Sequence, residues 1–181
     1  MIRIAGIFAA VSLSLGAIAP AAAQPAVGAS GPATLLGVFN NWAAFSTGSG
    51  STLTCYALSK PRATRPKGAK RSDIYLMVSA WPSRKIKGET QIVLGYPGNE
   101  KGAASLGIGP DKFPFFIKNT GKEASAWLTS LNDSQRLIDA MRGGVSAVAI
   151  GMSQRGTRTV DTYSLSGFSD ALTKIQTTCQ M

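Results

Sequence analysis

The sequence has no histidine, two cysteines, and nine Asp and Glu against 19 Lys and Arg. Without histidine there is no Ser-His or Cys-His nucleophile pair, no imidazole zinc ligand and no side chain that ordinarily titrates near neutral pH. Two cysteines alone do not make a thiolate zinc site, and no Cys-x-x-Cys is present to lower a thiol pKa. The carboxylates are scattered, with no local pair suited to acid-base catalysis and no calcium loop. Ser-x-x-Lys and Gly-x-x-x-x-Gly-Lys are also missing, and Gly107-Ile108-Gly109-Pro110 is a lone glycine pair with little value as a nucleotide signal. These absences favour a protein that is not an enzyme and uses no metal or cofactor. The competing class is a small-ligand carrier or hydrolase whose site is assembled from residues distant in sequence; a deep pocket with converging polar groups would favour it.

Long apolar runs are scarce too. The only extended one lies at the start, where Met1-Ile2-Arg3, an apolar run from Ile4 to Ala19, and Pro20-Ala21-Ala22-Ala23-Gln24 match the three regions of a secretory signal peptide. The reading is a signal peptide over 1–23, cleaved after Ala23. A membrane anchor would need about 20 apolar residues, and Pro20 interrupts this run. Residues 24–34 are Pro, Ala, Gly and Ser with no charge, which predicts a flexible lead-in. Residues 35–181 are then the size of one ordinary domain.

Both cysteines, Cys55 and Cys179, lie in that domain. In an exported chain an even pair becomes a disulfide in the oxidising compartment, the alternative being two buried thiols. A bridge enclosing almost the whole domain restricts the unfolded chain by about 4 to 5 kcal/mol on the entropic model. Only Arg3 of the charged residues falls in the leader, so the mature chain keeps a formal charge of +9 against +10 for the whole. That balance favours anionic partners. Behind a signal peptide these are envelope or host-surface polymers and lipids rather than a specific nucleic acid.

The largest share of the charge sits between Ser59 and Ser72, where Lys60, Arg62, Arg65, Lys67, Lys70 and Arg71 occur with two prolines and no acid. The prolines predict an extended loop with its charges in water. It is either a solvated loop that keeps strand edges soluble or an anion-binding strip, and its six cations are the candidate anion-binding residues. A second polar stretch, Arg155-Gly156-Thr157-Arg158 with Asp161, reads as a hairpin tip and a cross-strand pair.

Around these, short apolar segments alternate with turn residues. Strands are expected over 36–39, 42–45, 53–58, 74–81, 90–96, 112–117, 124–128, 145–152 and 157–165. Lys101–Gly109 reads as Gly- and Ala-rich connection, and Pro114 places its strand at an edge or a strand start. Phe113, Phe115 and Phe116 read as core and edge packing, with an exposed aromatic patch as the alternative. Leu137, Ile138 and Met141 after Asn132-Asp133-Ser134-Gln135 mark one short helix. Phe168, Ala171, Leu172, Ile175 and Cys179 mark a second, capped by Ser166. The pattern is that of an antiparallel sandwich of the all-β or α+β kind with two helices late in the chain.

Several fragments resemble one known family in order and spacing. They are Gly37-x-x-x-x-Trp42, Cys55-Tyr56-Ala57-Leu58-Ser59-Lys60-Pro61, Tyr75 to Pro82 with Gly95-Tyr96-Pro97, and Ala140-Met141-Arg142. Ser153-x-Arg155-Gly156-Thr157, Asp161-Thr162-Tyr163-Ser164-Leu165 and Gly167-Phe168-Ser169 continue the match, followed by the last cysteine. Together they resemble the invasion-associated locus B family of alphaproteobacterial exported proteins over about residues 36–179. The resemblance implies an immunoglobulin-like β-sandwich, export to the periplasm or cell surface and, for founding members, a part in host-cell invasion and so in virulence. It supplies no catalytic residues. Asn40-Asn41, where an acidic residue is common before the Trp, and the unusually basic loop are departures.

Overall fold

The computed structural model describes residues 31–181. The expected signal peptide, its expected cleavage point and residues 24–30 of the expected lead-in lie outside the described residues. Strands form where apolar alternation is bracketed by turn residues. β1 (Thr34–Phe39) and β2 (Trp42–Thr47) are joined through Asn40, whose φ of 51 is a left-handed conformation that asparagine tolerates. After β3 (Thr54–Ser59) and a short β4 (Ala63–Arg65) comes β5 (Tyr75–Trp81), buried on both faces as its continuous apolar run predicts. Leu76, Val78 and Ala80 enter the main core, while Met77 joins Phe45 and Tyr56 in a second cluster. β6 (Ile86–Val93) begins at Ile86 rather than Thr90, because one 3-10 turn at Pro82–Arg84 and Lys85 at φ 56 suffice to reverse the chain.

The remaining strands are β7 (Ala104–Ile108), β8 (Asp111–Thr120), β9 (Glu123–Leu128), β10 (Ser146–Met152) and β11 (Arg158–Ser164). β7 falls in the stretch expected to be connection. Its small residues are accommodated because both of its edges are paired, to β8 and to β10. β8 is likewise not an edge strand: it lies between β9 and β7, with Pro114 inside it. The Pro114 carbonyl accepts from the Thr129 N–H just past the end of β9. The proline nitrogen faces that same side, so its missing donor forfeits only a terminal ladder bond. Phe113 and Phe115 are core, whereas Phe116 is 48% exposed.

All 11 strands of the described residues run antiparallel in one sheet, ordered β1-β2-β3-β5-β6-β9-β8-β7-β10-β11-β4. The chain is thus mainly β, with its helices in the C-terminal half. The sheet doubles over, since the Trp42 indole N–H donates to the Ser164 carbonyl at 3.0 Å and the Asn41 N–H to Ser166, joining β2 to the end of β11. Side chains from both halves, such as Cys55 and Leu76 with Leu106, Ala149 and Tyr163, share one core. This is the expected sandwich, built from a single continuous ladder.

α1 (Ser134–Gly143) buries Leu137, Ile138 and Met141, and α2 (Phe168–Thr178) buries Phe168, Ala171, Leu172 and Ile175. Ser166 does not cap α2. Gly167 occupies that position at φ 90, where a Cβ would run into the Phe39 carbonyl. α2 packs on β1, β2 and β3, its Phe168 ring 5.0 Å from that of Trp42. Cys179, just after the helix, is bonded to Cys55 on β3 with a Cα separation of 6.0 Å, and both are buried. No helix of the described residues is long and apolar enough to cross a membrane.

Candidate functional site

The basic segment after β3 does not stay in water as one strip. Its first part crosses to the other half of the sheet and covers the open edge of β11. Thr64 and Arg65 of β4 pair with Asp161 and Val160, and the Arg62 N–H donates to Thr162 at 2.7 Å. An edge strand left bare invites intermolecular pairing, and a short, charged cover prevents it. Lys60, Arg62, Arg65, Lys67 and Lys70 are exposed. Lys60 lies 3.7 Å from Asp73 and over the Tyr75 ring, apart from the others.

Arg71 turns inward. Its Nε and Nη2 donate to the Leu94 carbonyl at 3.0 and 2.7 Å, and Nη1 and Nη2 donate to the two Asp161 carboxylate oxygens at 2.7 Å each. The side chains of Arg71 and Asp161 are only 5% and 1% exposed. A bidentate fork of this kind matches the planar guanidinium to a carboxylate. The expectation of a solvated charge thus fails at Arg71. The expected cross-strand partner for Asp161 is replaced by an arginine 90 positions away. Gly95 makes the approach feasible: at φ 68 it accepts from the Ser72 N–H at 2.9 Å, and a Cβ there would stand 2.7 Å from the Ser72 carbonyl.

Above this neutral pair is a cleft of about 450 Å³, whose lining includes Pro66, Lys70, Tyr96, Arg155 and Thr157. The Tyr96 ring lies 5.0 Å from the Arg71 guanidinium carbon, and its hydroxyl is 2.6 Å from that of Thr159. The far wall is the β10–β11 tip, held by Ser153 N–H to Thr157, Gly156 N–H to Ser153, and Gln154 N–H to Pro97 bonds of 2.9 Å. Lys70 and Arg155 make no ion pair among the described residues. No carboxylate lines the cleft, because Asp161 lies behind it on Arg71. Burial raises the Tyr96 phenol pKa against the opposing pull of the Thr159 hydrogen bond and Arg71. Tyr163, next inward on β11, is raised well above its ordinary value, chiefly by burial.

The cleft therefore unites Lys70 of the basic run with Arg155 and Thr157 of the second polar stretch. Tyr96 stood out in the sequence only as part of the Gly95-Tyr96-Pro97 fragment, with nothing to mark it as a site residue, and Thr159 had no signal of its own. A second hollow, about 650 Å³, lies between the outer face of β6, β8 and β9 and the N-terminal end of α1, with Phe116 stacked on Trp127 at 6.0 Å.

No family model and no curated protein matches the sequence. A solved structure is similar in fold. The crystal structure of invasion associated protein B from Bartonella henselae aligns with a TM-score of 0.55 over 80% of this chain and 98% of that one, at 11% identity. This is a likeness of fold: the Bartonella protein corresponds to nearly all of its own length in the described sandwich, and at that identity nothing is carried residue by residue.

Proposed function

We propose that the chain is an exported, non-enzymatic envelope protein of the invasion-associated locus B type, working by contact with anionic envelope or host-surface polymers from the periplasm or cell surface. The observation that carries this reading is the fold shared with the Bartonella protein. The Cys55–Cys179 bond supports it, since such bonds belong to oxidising compartments. The neighbour is named for invasion; what is extended to this chain is the surface contact such a role requires. Against catalysis stand the missing histidine, an Asp161 committed to Arg71, and phenols at Tyr96 and Tyr163 that burial keeps protonated.

The five exposed cations supply the contact. Replacing Lys60, Arg62, Arg65, Lys67 and Lys70 by Gln should weaken binding of the mature chain to lipopolysaccharide and to anionic vesicles by at least about tenfold at low salt, with less effect at high salt. Unchanged binding at low salt would refute the reading. Arg71 is left out because its charge is spent on Asp161. A second reading, a small-ligand carrier, is favoured by the polar convergence of the 450 Å³ cleft.

A further inference from the structure

We infer that the cleft between Lys70 and Arg155 is a binding site for a phosphate monoester carried on a sugar. The inference deepens the envelope-contact reading and rests on it for the ligand's setting. The charge count comes first. Arg71, which also lines the cleft, is neutralised by Asp161 behind it, leaving Lys70 and Arg155 as the two lining cations without an ion pair, and no carboxylate lines the cleft. Two cations match the charge of about −1.5 to −2 on a phosphate monoester at neutral pH, whereas a single carboxylate would leave one of them unmatched.

Geometry narrows the class further. Arg155 offers a planar fork and Lys70 a mobile point charge, the complementary ways of holding phosphate oxygens. Thr157 adds a hydroxyl, and the Ser153 hydroxyl, which accepts the Thr157 N–H at 3.0 Å, keeps its own proton to donate. The floor is different in kind: Tyr96, Pro66 and Pro97 present ring and methylene surface that a hydrophilic inorganic ion would not use. At about 450 Å³ the space exceeds what a phosphate needs and lies within the range of small-molecule sites. A sugar ring with its apolar face on this floor and its phosphate between the two cations fills both parts.

The wall positions are also fixed before any ligand arrives. Gln154 is tied to Pro97, Ser72 to Gly95, and the Arg71 side chain to both Leu94 and Asp161, so the loops bearing Lys70 and Arg155 are both fastened to the 94–97 segment. Preorganisation of that kind lowers the ordering cost of binding.

The test is calorimetric titration of the disulfide-bonded mature chain with glucose 6-phosphate, glucose and inorganic phosphate, beside flotation with vesicles of phosphatidic acid in phosphatidylcholine. Glucose 6-phosphate should bind more tightly than inorganic phosphate, and glucose should not register. The Lys70→Gln/Arg155→Gln pair should weaken glucose 6-phosphate by at least about tenfold, as expected for losing charge-assisted hydrogen bonds. Arg155→Lys should recover part of it. Both residues are exposed, so these variants should unfold like the parent. A Lys60→Gln/Arg62→Gln/Arg65→Gln/Lys67→Gln variant should leave glucose 6-phosphate binding within about twofold. The inference falls if glucose 6-phosphate binds no better than glucose, if the double variant binds like the parent, or if phosphatidic acid vesicles alone engage Lys70 and Arg155. In any of these cases, a loss of lipopolysaccharide binding in the four-residue variant would still uphold the envelope-contact reading.

Discussion

Arg71 shows how much can turn on one side chain. Removing two ions from water costs several kcal/mol each, and the buried pair is tolerable only because two carboxylate oxygens and the Leu94 carbonyl receive the guanidinium. Arg71→Ala should therefore lower unfolding free energy by about 3 to 5 kcal/mol in urea melts, since Asp161 would be left buried and uncompensated. Arg71→Lys should recover little, because an ammonium cannot reproduce the fork. Arg71→Met with Asp161→Leu should come close to the parent, and a double variant as unstable as the single ones would contradict this account. In the sequence Arg71 is one of six similar cations. Nothing local separates it from Lys70, its neighbour, which faces solvent; only the position of Asp161 does.

At the level of elements, α2 depends on contacts at both its ends. Gly167 lets the chain enter under the Phe39 carbonyl, Phe168 packs on Trp42, and Cys179 ties the far end to β3. A Cys55→Ala/Cys179→Ala chain should lose about 2 to 5 kcal/mol by denaturant unfolding. Hydrogen exchange should then quicken first in α2, which the sheet holds along one face only. Equal exchange in α2 and β5 of that variant would show the bridge to be redundant. The stripe of α2 was legible because 3.6-residue spacing is a local property, as was the two-sided burial of β5. β7 was not legible: Ala104 to Ile108 has weak strand character, and pairing on both edges decides its conformation. Pro114 misled for the same reason, since a proline's cost depends on whether a neighbouring strand reaches its nitrogen.

The whole molecule carries its four tyrosines in surroundings that oppose ionisation. Tyr75 is pushed up to about 12, first by burial and then by Asp73; Tyr56 and Tyr96 are raised, and Tyr163 well above the ordinary value, burial being the leading cause in each. Protons held by the folded chain but released by the unfolded one make stability independent of this effect below about pH 10, and cause it to fall as pH climbs through the folded values. Phenolate absorbance should accordingly stay low near pH 10 and rise together with loss of the circular dichroism of the fold. Ordinary titration of all four tyrosines in a still-folded chain would contradict it.

The mainly β class, the two late helices and the large positive charge were readable from composition, alternation and helical spacing, because these act over a few residues. The covalent pairing of Cys55 with Cys179 was also foreseeable, there being no other cysteine to choose. Which cations face solvent, which one is buried, and that Lys70, Tyr96 and Arg155 line one cleft are set by the folded arrangement alone. Those outcomes depend on the sheet doubling over to bring β11 beside the basic loop, a contact between segments some 90 positions apart. Such a contact is set by the packing of one shared core, to which neither segment's local pattern refers.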